Sequence, residues 1–379
     1  MANILTGLIP DLYAALDVVA REQQGFIPSV QRDATASAGA IGQEVVSPVV
    51  PANTAEDITP GVHAQPTGSI EVGTVKVALT KARAVPLIWT GEEQLSVSGS
   101  INTIMRDQFA QAFRTLSNEV ERDLALTALL GASRAVGTAG TAPFGVAGDL
   151  SDAAYVNQIL DDNGAPTGDR ALVMSSSAMA NMRGKQSVLF KVDEAGTEDL
   201  LRNGVIGRLQ GLNLHTSRFA ASNTKGTGAS YVANGAFAAG ATGVTLKTGT
   251  GTVLAGNVVT FDGDSNKYVV GTGVTAPGTL ALNAPGLQSA VANNAVMTLG
   301  NSYTANVAFH KNAIVLATRV PSMPIGGDSA DDVTLVTDPV SGLTFQVCVY
   351  KMYKQTKIEI GLVWGMKVIK PEFIATLLG

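Results

Sequence analysis

The sequence predicts an α+β fold that is built around one long helix and interrupted by a separate all-β segment. Apolar residues recur at helical spacing from Ile101 to Ala128, a pattern typical of a long helix with one buried face. Apolar and polar residues alternate over 69–90, as in a strand with one buried face. Between 223 and 303, short β-type runs alternate with Gly-rich turns in a stretch that contains five charged residues.

The composition limits the class of protein. Only 15% of the 379 residues are charged and 45% are apolar, so the chain is not disordered and is expected to bury much of its surface against other chains. The net charge of −5 argues against a dedicated nucleic-acid-binding protein. Cys348 is the only cysteine, which excludes an intrachain disulfide and favours a reducing compartment. The sequence has neither the basic leader of a secretory signal nor an apolar run of about 20 residues, so we expect a soluble cytoplasmic protein.

The N-terminal region predicts a helix followed by an arm. In residues 1–24, leucines and a valine recur at helical spacing until Gly25 and Pro28 end the pattern. The stretch 25–68 is rich in small residues and proline, and its one β-type run is 45–50. A stretch this long without its own core is typical of a functional arm or of disorder.

Residues 69–90 are expected to pair with 45–50 as a long two-stranded ribbon. Val75, Val77 and Leu79 share one face of the predicted strand. A proline at position 86 marks an edge strand or a bulge. Because such a ribbon is marginally stable alone in water, we expect it to lie on another surface.

The apolar stripe over 101–131 predicts a helix of about 30 residues, about 45 Å long. Because it lacks a clean a/d heptad, it is expected to be the main helix of a flat domain rather than a coiled coil. Its polar residues are expected to cover the remaining surface: Arg106, Asp107, Arg114, Asn118, Glu121 and Arg122.

Short elements of α/β type follow between 149 and 220. We predict a helix over 152–160, a buried strand over 170–174 and a helix over 175–182 with serine N-caps. Residues 304–320 carry strand and helix signals. A closing β meander is predicted from the turn 338–342 and the runs 345–350, 357–366 and 368–369.

Residues 223–303 differ in composition from the chain on either side. Their β-type runs are spaced as in a small all-β barrel or sandwich that is inserted as a unit. The predicted strands are 244–246, 258–261, 267–270, 279–282 and 295–299.

Two short motifs resemble ligand sites by letter. Residues 271–276 match a dinucleotide fingerprint, but a Pro-Gly pair follows where a helix must begin, so a β-turn is favoured. Asp262, Asp264 and Asn266 resemble the start of a calcium loop, but Lys267 occupies the glycine position, so a polar hairpin turn is favoured.

Other reactive residue types are isolated from one another. His63, His215 and His310 are far apart in the sequence, and Cys348 lies among apolar strand residues. We therefore predict no enzyme activity, no catalytic residues, no cofactor and no metal. The acidic pairs at 92–93, 161–162 and 331–332 are explained by solvated faces or by ion pairs between subunits, and a basic cluster over 351–370 could meet acidic neighbours or a phosphate backbone.

The order of arm, ribbon, long helix, α/β domain, inserted β unit and β meander resembles the major capsid (coat) proteins of tailed bacteriophages, which share the Hong Kong 97-type fold. The branch it resembles is that of short-tailed phages whose coat protein carries an inserted β-barrel. The local matches are 168–176 (GDRALVMSS), 201–211 (LRNGVIGRLQG), 308–321 (AFHKNAIVLATRVP) and 350–379.

The resemblance implies a division of the chain into named regions. These are an N-terminal helix and N-arm (1–40), an E-loop ribbon and return (41–99), a peripheral domain with the spine helix (100–148), an axial domain (149–222 and 304–330), an inserted β-barrel domain (223–303) and the β meander that completes the peripheral domain (331–379).

The resemblance also implies a function and partners. The chain would assemble as homo-hexamers and homo-pentamers, in the host bacterial cytoplasm, into the icosahedral shell that encloses the double-stranded DNA of a tailed phage. A scaffolding protein and a portal are expected as partners, a decoration protein is allowed, contact with the packaged DNA would be weak and non-specific, and no membrane is involved. Procapsid maturation is expected.

Charged residues on the ribbon and in the inserted domain are the candidates for contacts between subunits: Lys76, Lys81, Arg83, Glu92, Glu93, Asp262 and Asp264. Some shells of this fold carry a lysine–asparagine cross-link, but no receiving asparagine can be matched, so we expect none. The alternative function is a secreted adhesin or surface-layer protein, which would need an export signal and repeated β modules. The sequence has neither, and an enzyme ranks third.

Overall fold

The computed structural model describes residues 24–49, 73–96, 101–186, 207–338 and 341–379. In these ranges the chain is mostly sheet with few helices, which confirms the predicted α+β class. The helices are α1 (Gly91–Ser96), α2 (Ile101–Gly131), α3 (Ser151–Asp162) and α4 (Ser176–Lys185). The strands are β1 (Gln31–Gly39), β2 (Glu44–Val49), β3 (Gly73–Ala78), β4 (Lys81–Thr90), β5 (Arg134–Gly137), β6 (Arg170–Met174), β7 (Arg208–Leu209), β8 (Leu212–Thr216), β9 (Ser222–Asn223), β10 (Val232–Ala233), β11 (Gly243–Lys247), β12 (Val258–Phe261), β13 (Lys267–Thr272), β14 (Thr279–Leu282), β15 (Met297–Leu299), β16 (Tyr303–His310), β17 (Ile314–Pro321), β18 (Asp332–Thr337), β19 (Thr344–Met352), β20 (Gln355–Val368) and β21 (Ile374–Leu378). Residues 1–23 of the predicted helix 1–24, and the predicted ribbon tip, lie outside the described residues.

The predicted long helix is confirmed as α2, which has 31 residues and is therefore about 46 Å long. Its apolar stripe is buried, and Phe109, Phe113 and Val120 have no exposed surface. The stripe belongs to one hydrophobic cluster that also contains residues of β16, β17, β19 and β20. The helix therefore supplies the main core of the subunit.

The first sheet has the strand order β1-β17-β20-β19-β18, with β4 along the other edge of β20. β20 is the central strand, because it pairs with β4 on one side and with β19 and then β17 on the other. The antiparallel strands β18, β19 and β20 form the predicted meander. The predicted interruption between 366 and 368 is wrong, since β20 continues to Val368.

One strand of the first sheet was not expected from the sequence. Residues 31–39, predicted as part of an extended arm, form β1 and pair in parallel with β17, with Gln31 opposite Val315. The Arg319 guanidinium donates to both carboxylate oxygens of Asp33, at 3.3 and 3.2 Å. This part of the arm is therefore integrated into the sheet of its own subunit.

The described part of the predicted ribbon consists of β2 and β3, and 81–90 belongs to the first sheet instead. β2 and β3 pair with each other from Glu44 opposite Ala78 to Val49 opposite Gly73, and no third strand joins them among the described residues. After a break at 79–80 the chain enters the first sheet as the edge strand β4, so the predicted strand 69–90 is two strands. Val77 and Leu79 are buried against residues of β17 and β20, which anchors the base of the ribbon.

The second sheet has the order β10-β11-β14-β13-β5-β21-β16-β6-β8-β7. The elements predicted over 152–160, 170–174 and 175–182 are confirmed as α3, β6 and α4, and Ser175 caps α4 by accepting the Ala178 N–H. The helix signal within 304–320 is wrong, since β16 and β17 are joined by a single 3-10 turn.

The strands predicted within 223–303 correspond to β11–β15. They pair in the order β10-β11-β14-β13-β12-β15, and Val232 of β10 forms a bridge with Val296, which precedes β15. This pairing is cyclic and encloses a hydrophobic cluster of its own that includes Tyr231 and Phe261. β13 also pairs with β5, which connects these strands to the second sheet.

Phe113 provides a test of how α2 faces the core. It is fully buried, and its ring meets that of Phe345 in β19 edge-on at a centroid distance of 5.0 Å. Replacing it with alanine is expected to lower the free energy of unfolding by about 3–5 kcal/mol, because the substitution leaves a cavity. Urea unfolding followed by circular dichroism measures this loss.

The matched control is Gln111→Ala, which lies two residues earlier on the exposed side of the same helix. It is expected to change the free energy of unfolding by less than about 0.5 kcal/mol. Equal losses for the two variants would contradict the orientation of α2.

Candidate functional site

Glu121 lies in the middle of α2 and is 1% exposed, although the sequence places it on the polar side of the helix. This corrects the prediction. One carboxylate oxygen accepts the backbone N–H groups of Gly25 at 2.7 Å and Phe26 at 2.8 Å, together with the Ser217 hydroxyl at 2.8 Å. The other oxygen accepts the Ile27 N–H at 3.0 Å. We call this group of residues the Glu121 clamp.

The local sequence around 25–30 explains how the clamp forms. A Cβ atom at Gly25 would lie 2.6 Å from Val173 Cγ1, so only glycine allows the backbone to come this close to β6. The Ser29 hydroxyl donates to the Gly25 carbonyl at 2.7 Å and closes the turn. Phe26 stacks on Phe309 of β16 with a centroid distance of 6.1 Å. Three successive N–H groups are thereby directed at one carboxylate.

The electrostatics of Glu121 follow from its burial. Loss of contact with water raises the pKa of the carboxyl above its ordinary value, while the N–H donors of Phe26, Ile27 and Gly25 and the Ser217 hydroxyl act in the opposite direction. No chemical reaction is indicated by this arrangement. Its effect is to join the helix, the turn at 25–30 and the segment that follows β8.

The two carboxylates on either side of Glu121 in α2 bind the first sheet. Asp123 accepts the Lys81 ammonium at 2.7 Å and the Trp364 indole N–H at 2.9 Å. Glu119 lies 3.8 Å from Arg83. The contact candidates Lys81 and Arg83 therefore have partners within the subunit, and their role between subunits stays a prediction.

The remaining contact candidates lie apart from one another. Lys76 pairs with Glu44 across the ribbon at 2.7 Å, and this hydrogen bond raises the pKa of Lys76. Glu93 accepts the Thr90 N–H at 2.8 Å at the start of α1, which lowers the pKa of its carboxyl, and Glu92 is exposed beside it. Asp262 and Asp264 lie in the turn between β12 and β13.

That turn is the polar hairpin turn predicted from the sequence. Asp264 accepts the backbone N–H of Asn266 at 2.9 Å and also the Tyr268 hydroxyl, while Asp262 is exposed. Within the described residues, no group of histidine, cysteine, aspartate and glutamate side chains is arranged to hold a metal ion.

Two buried arginines were not predicted from the sequence. Arg170, 2% exposed, pairs with Asp161 at 2.8 Å, and Arg134, 5% exposed, pairs with Asp162 at 3.1 Å. The acidic pair 161–162, predicted to be solvated or to pair between subunits, instead neutralises arginines of the same chain. The sequence did contain a signal for one of these ion pairs. It is an Asp-Asp pair at the end of a predicted helix, followed by an arginine at the start of a buried strand.

The isolated reactive residues occupy structural positions. Cys348 is buried in β19, and burial raises the pKa of its thiol. His310 is buried against Phe373, and its Nδ1 accepts the Asn312 N–H at 3.2 Å. In the part of the chain that is described, no helix is long and apolar enough to cross a membrane.

Large apolar side chains are exposed next to the ribbon and at one end of the first sheet. Ile41 precedes β2, Leu95 lies on α1, and Tyr353 lies in the turn between β19 and β20, where it is 87% exposed. A cleft of about 790 Å³ lies between α1 and this turn and is lined by residues that include Trp89 and Lys354. Exposed apolar surface of this kind is typical of protein–protein contact sites.

No family model and no curated protein matches the sequence. Solved structures similar to this chain include tailed-phage capsid structures of the Hong Kong 97 type, the family that the sequence resembles. A structure from Mycobacterium phage Che8 has a TM-score of 0.48 at 14% identity and covers 94% of this chain and 92% of its own. The capsid structure of the cyanophage P-SCSP1u has a TM-score of 0.49 at 11% identity, with 94% of this chain and 88% of that chain covered.

A third similar structure is the virus-like particle from Pyrococcus furiosus. Its TM-score is 0.44 at 9% identity, and 98% of this chain and 99% of that chain are covered. Because these TM-scores are below 0.5, we base the functional proposal on the architecture of the chain itself.

The Glu121 clamp can be tested by exchanging one oxygen for an amino group. In the variant Glu121→Gln the side chain has nearly the same size as glutamate. Its NH₂ group replaces one carboxylate oxygen, and the backbone N–H that donated to that oxygen then has no acceptor. We expect the free energy of unfolding to fall by about 1–3 kcal/mol, which is the cost of an unsatisfied buried donor. Equilibrium unfolding in urea measures the change.

The matched control is Glu119→Gln, the same exchange on the same helix at a partly exposed residue. It is expected to cost less than about 1 kcal/mol, as for other exposed ion pairs. If the two variants lose the same stability, the clamp does not have the importance that its geometry implies.

Proposed function

We propose that this chain is a major capsid protein that assembles as hexamers and pentamers into an icosahedral shell enclosing the double-stranded DNA of a tailed phage. Its role is structural rather than enzymatic. The observation that carries the proposal is the ribbon of β2 and β3, which is anchored at its base by Val77 and Leu79 and is paired with no other strand of the described chain. A two-stranded ribbon is marginally stable alone, so it is suited to lie on a second copy.

The rest of the subunit supplies the core that anchors the ribbon and the surface for further contacts. α2 packs on strands of both sheets and connects them. Exposed apolar side chains at α1 and at the turn between β19 and β20 offer additional contact surface. In a heterologous contact, one surface of a subunit binds a different surface of its neighbour. Such contacts, repeated around a ring, close into pentamers and hexamers.

Residues 223–303 form, in this proposal, an inserted β-barrel domain. The cyclic pairing from β10 to β15 and back, and the separate hydrophobic cluster inside it, support this interpretation. The division of the remaining chain into N-arm (1–40), ribbon (41–99), peripheral domain (100–148 and 331–379) and axial domain (149–222 and 304–330) belongs to the same proposal. So do a scaffolding protein and a portal as partners.

Deletion of 52–66, joined by a short Gly/Ser linker, tests the function. The full-length chain is expected to form closed shells under the electron microscope, whereas the deletion variant is expected to remain a folded subunit with a normal helical signal that fails to close shells. The reason is that the ribbon has no core of its own and gains burial only on another copy. Complete shells from the deletion variant, or loss of its helical signal, would contradict the proposed role of the ribbon.

A further inference from the structure

The residues that follow Glu121 and Ser217 directly in the sequence form a second cluster outside the clamp. The guanidinium carbon of Arg122 lies 5.2 Å from the centre of the Phe219 ring, and that of Arg218 lies 6.0 Å from it. Both distances are in the range of cation–π contacts. The Ser217 hydroxyl also accepts the Phe219 N–H at 3.2 Å, so the clamp positions the ring that the two arginines share.

Neither arginine has a carboxylate partner among the described residues. The carboxylates of α2 nearest to Arg122 in sequence are occupied elsewhere. Glu119 lies beside Arg83, Asp123 accepts from Lys81 and Trp364, and Glu121 accepts the buried amides. Two cations held around one ring repel each other, and an anion bound between them would offset this cost.

We propose that Arg122, Phe219 and Arg218 form a contact site for the phosphate backbone of nucleic acid. This deepens the proposed function, since it identifies where the subunit would meet the DNA that the shell encloses. A guanidinium group that stacks on a ring still presents its N–H edge, which matches phosphate oxygens in a bidentate geometry. Two such groups side by side fit the regularly repeated charge of a nucleic-acid strand.

The chemistry of the ring favours nucleic acid over an acidic protein segment. Phe219 is half-buried, and its remaining surface offers a face or edge to a sugar or base, as aromatic residues do in sequence-independent sites. The chain carries a net charge of −5, so attraction to DNA is confined to local clusters such as this one. The contact is therefore weak and independent of sequence.

The test uses the full-length unassembled subunit and a fluorescein-labelled 30-base-pair duplex, with binding measured by fluorescence anisotropy between 25 and 200 mM NaCl. The variant Arg122→Gln/Arg218→Gln is expected to bind at least about tenfold more weakly at the lowest salt, and the slope of log K against log salt is expected to decrease by about 1.8, because each lost phosphate contact removes about 0.9. The variant Arg122→Lys/Arg218→Lys keeps both charges and is expected to keep the slope.

The matched control is Lys225→Gln/Lys247→Gln, which also removes two positive charges but at positions outside the proposed site. The ammonium groups of the two lysines donate to the side-chain oxygens of Asn301 and Asn293, at 3.1 and 3.5 Å, and neither lies beside the Arg122–Phe219–Arg218 cluster in the sequence, so the slope is expected to stay that of the wild type. An unchanged slope in the arginine variant, or a loss equal to that of the lysine control, would overturn the site. Weakened binding of a polyglutamate peptide with unchanged binding of the duplex would overturn it in favour of an acidic protein partner.

Electron microscopy of the same variants separates this proposal from the proposed function. The arginine variant is expected to form shells as the wild type does, because its side chains are not part of the ribbon or of the core. If the wild type forms no shells, the capsid function fails, while the duplex titration still decides whether the arginine site binds nucleic acid.

Discussion

A buried carboxylate must receive from the protein the hydrogen bonds that it loses from water, and at Glu121 three successive backbone N–H groups and one hydroxyl supply them. The requirement fixes the relative position of three separate parts of the chain: the middle of α2, the turn at 25–30 and the segment after β8. β1 begins one residue after this turn and enters the first sheet beside β17. The N-terminal part of the described chain is therefore held to the subunit before the ribbon starts.

The helix that carries Glu121 also joins the two sheets and the 223–303 segment. Phe113 packs on Phe345 in the first sheet, and α2 also contacts β13 of the 223–303 segment. At the end of the helix, Asn283 of this segment donates to the carbonyl groups of Leu130 and Ala132, each at 2.7 Å, and so satisfies backbone groups there.

Much of the fold could be predicted from local patterns. The 3.6-residue period located α2, alternation located the strands within 223–303, and the Ser175 cap was expected from its position before a helix. What could not be predicted depends on contacts between residues far apart in sequence. β1 pairs with β17, a strand about 280 residues later in the sequence. In the sequence, Glu121 has the same pattern as an exposed polar residue of a helix, and its burial depends on Gly25, which allows the backbone at 25–27 to come close. Arg122 and Arg218 were not singled out for the same reason, because their positions around Phe219 follow from the clamp.

Hydrogen exchange at three backbone amides tests the central role of the clamp most directly. If Glu121 holds the turn, the N–H groups of Gly25, Phe26 and Ile27 exchange as slowly as the core amides of α2, such as that of Leu124, because all of them open only when the subunit unfolds. Nuclear magnetic resonance or mass spectrometry of the full-length subunit in D₂O measures these rates. Fast exchange at the three amides while the core of α2 stays protected would contradict the account.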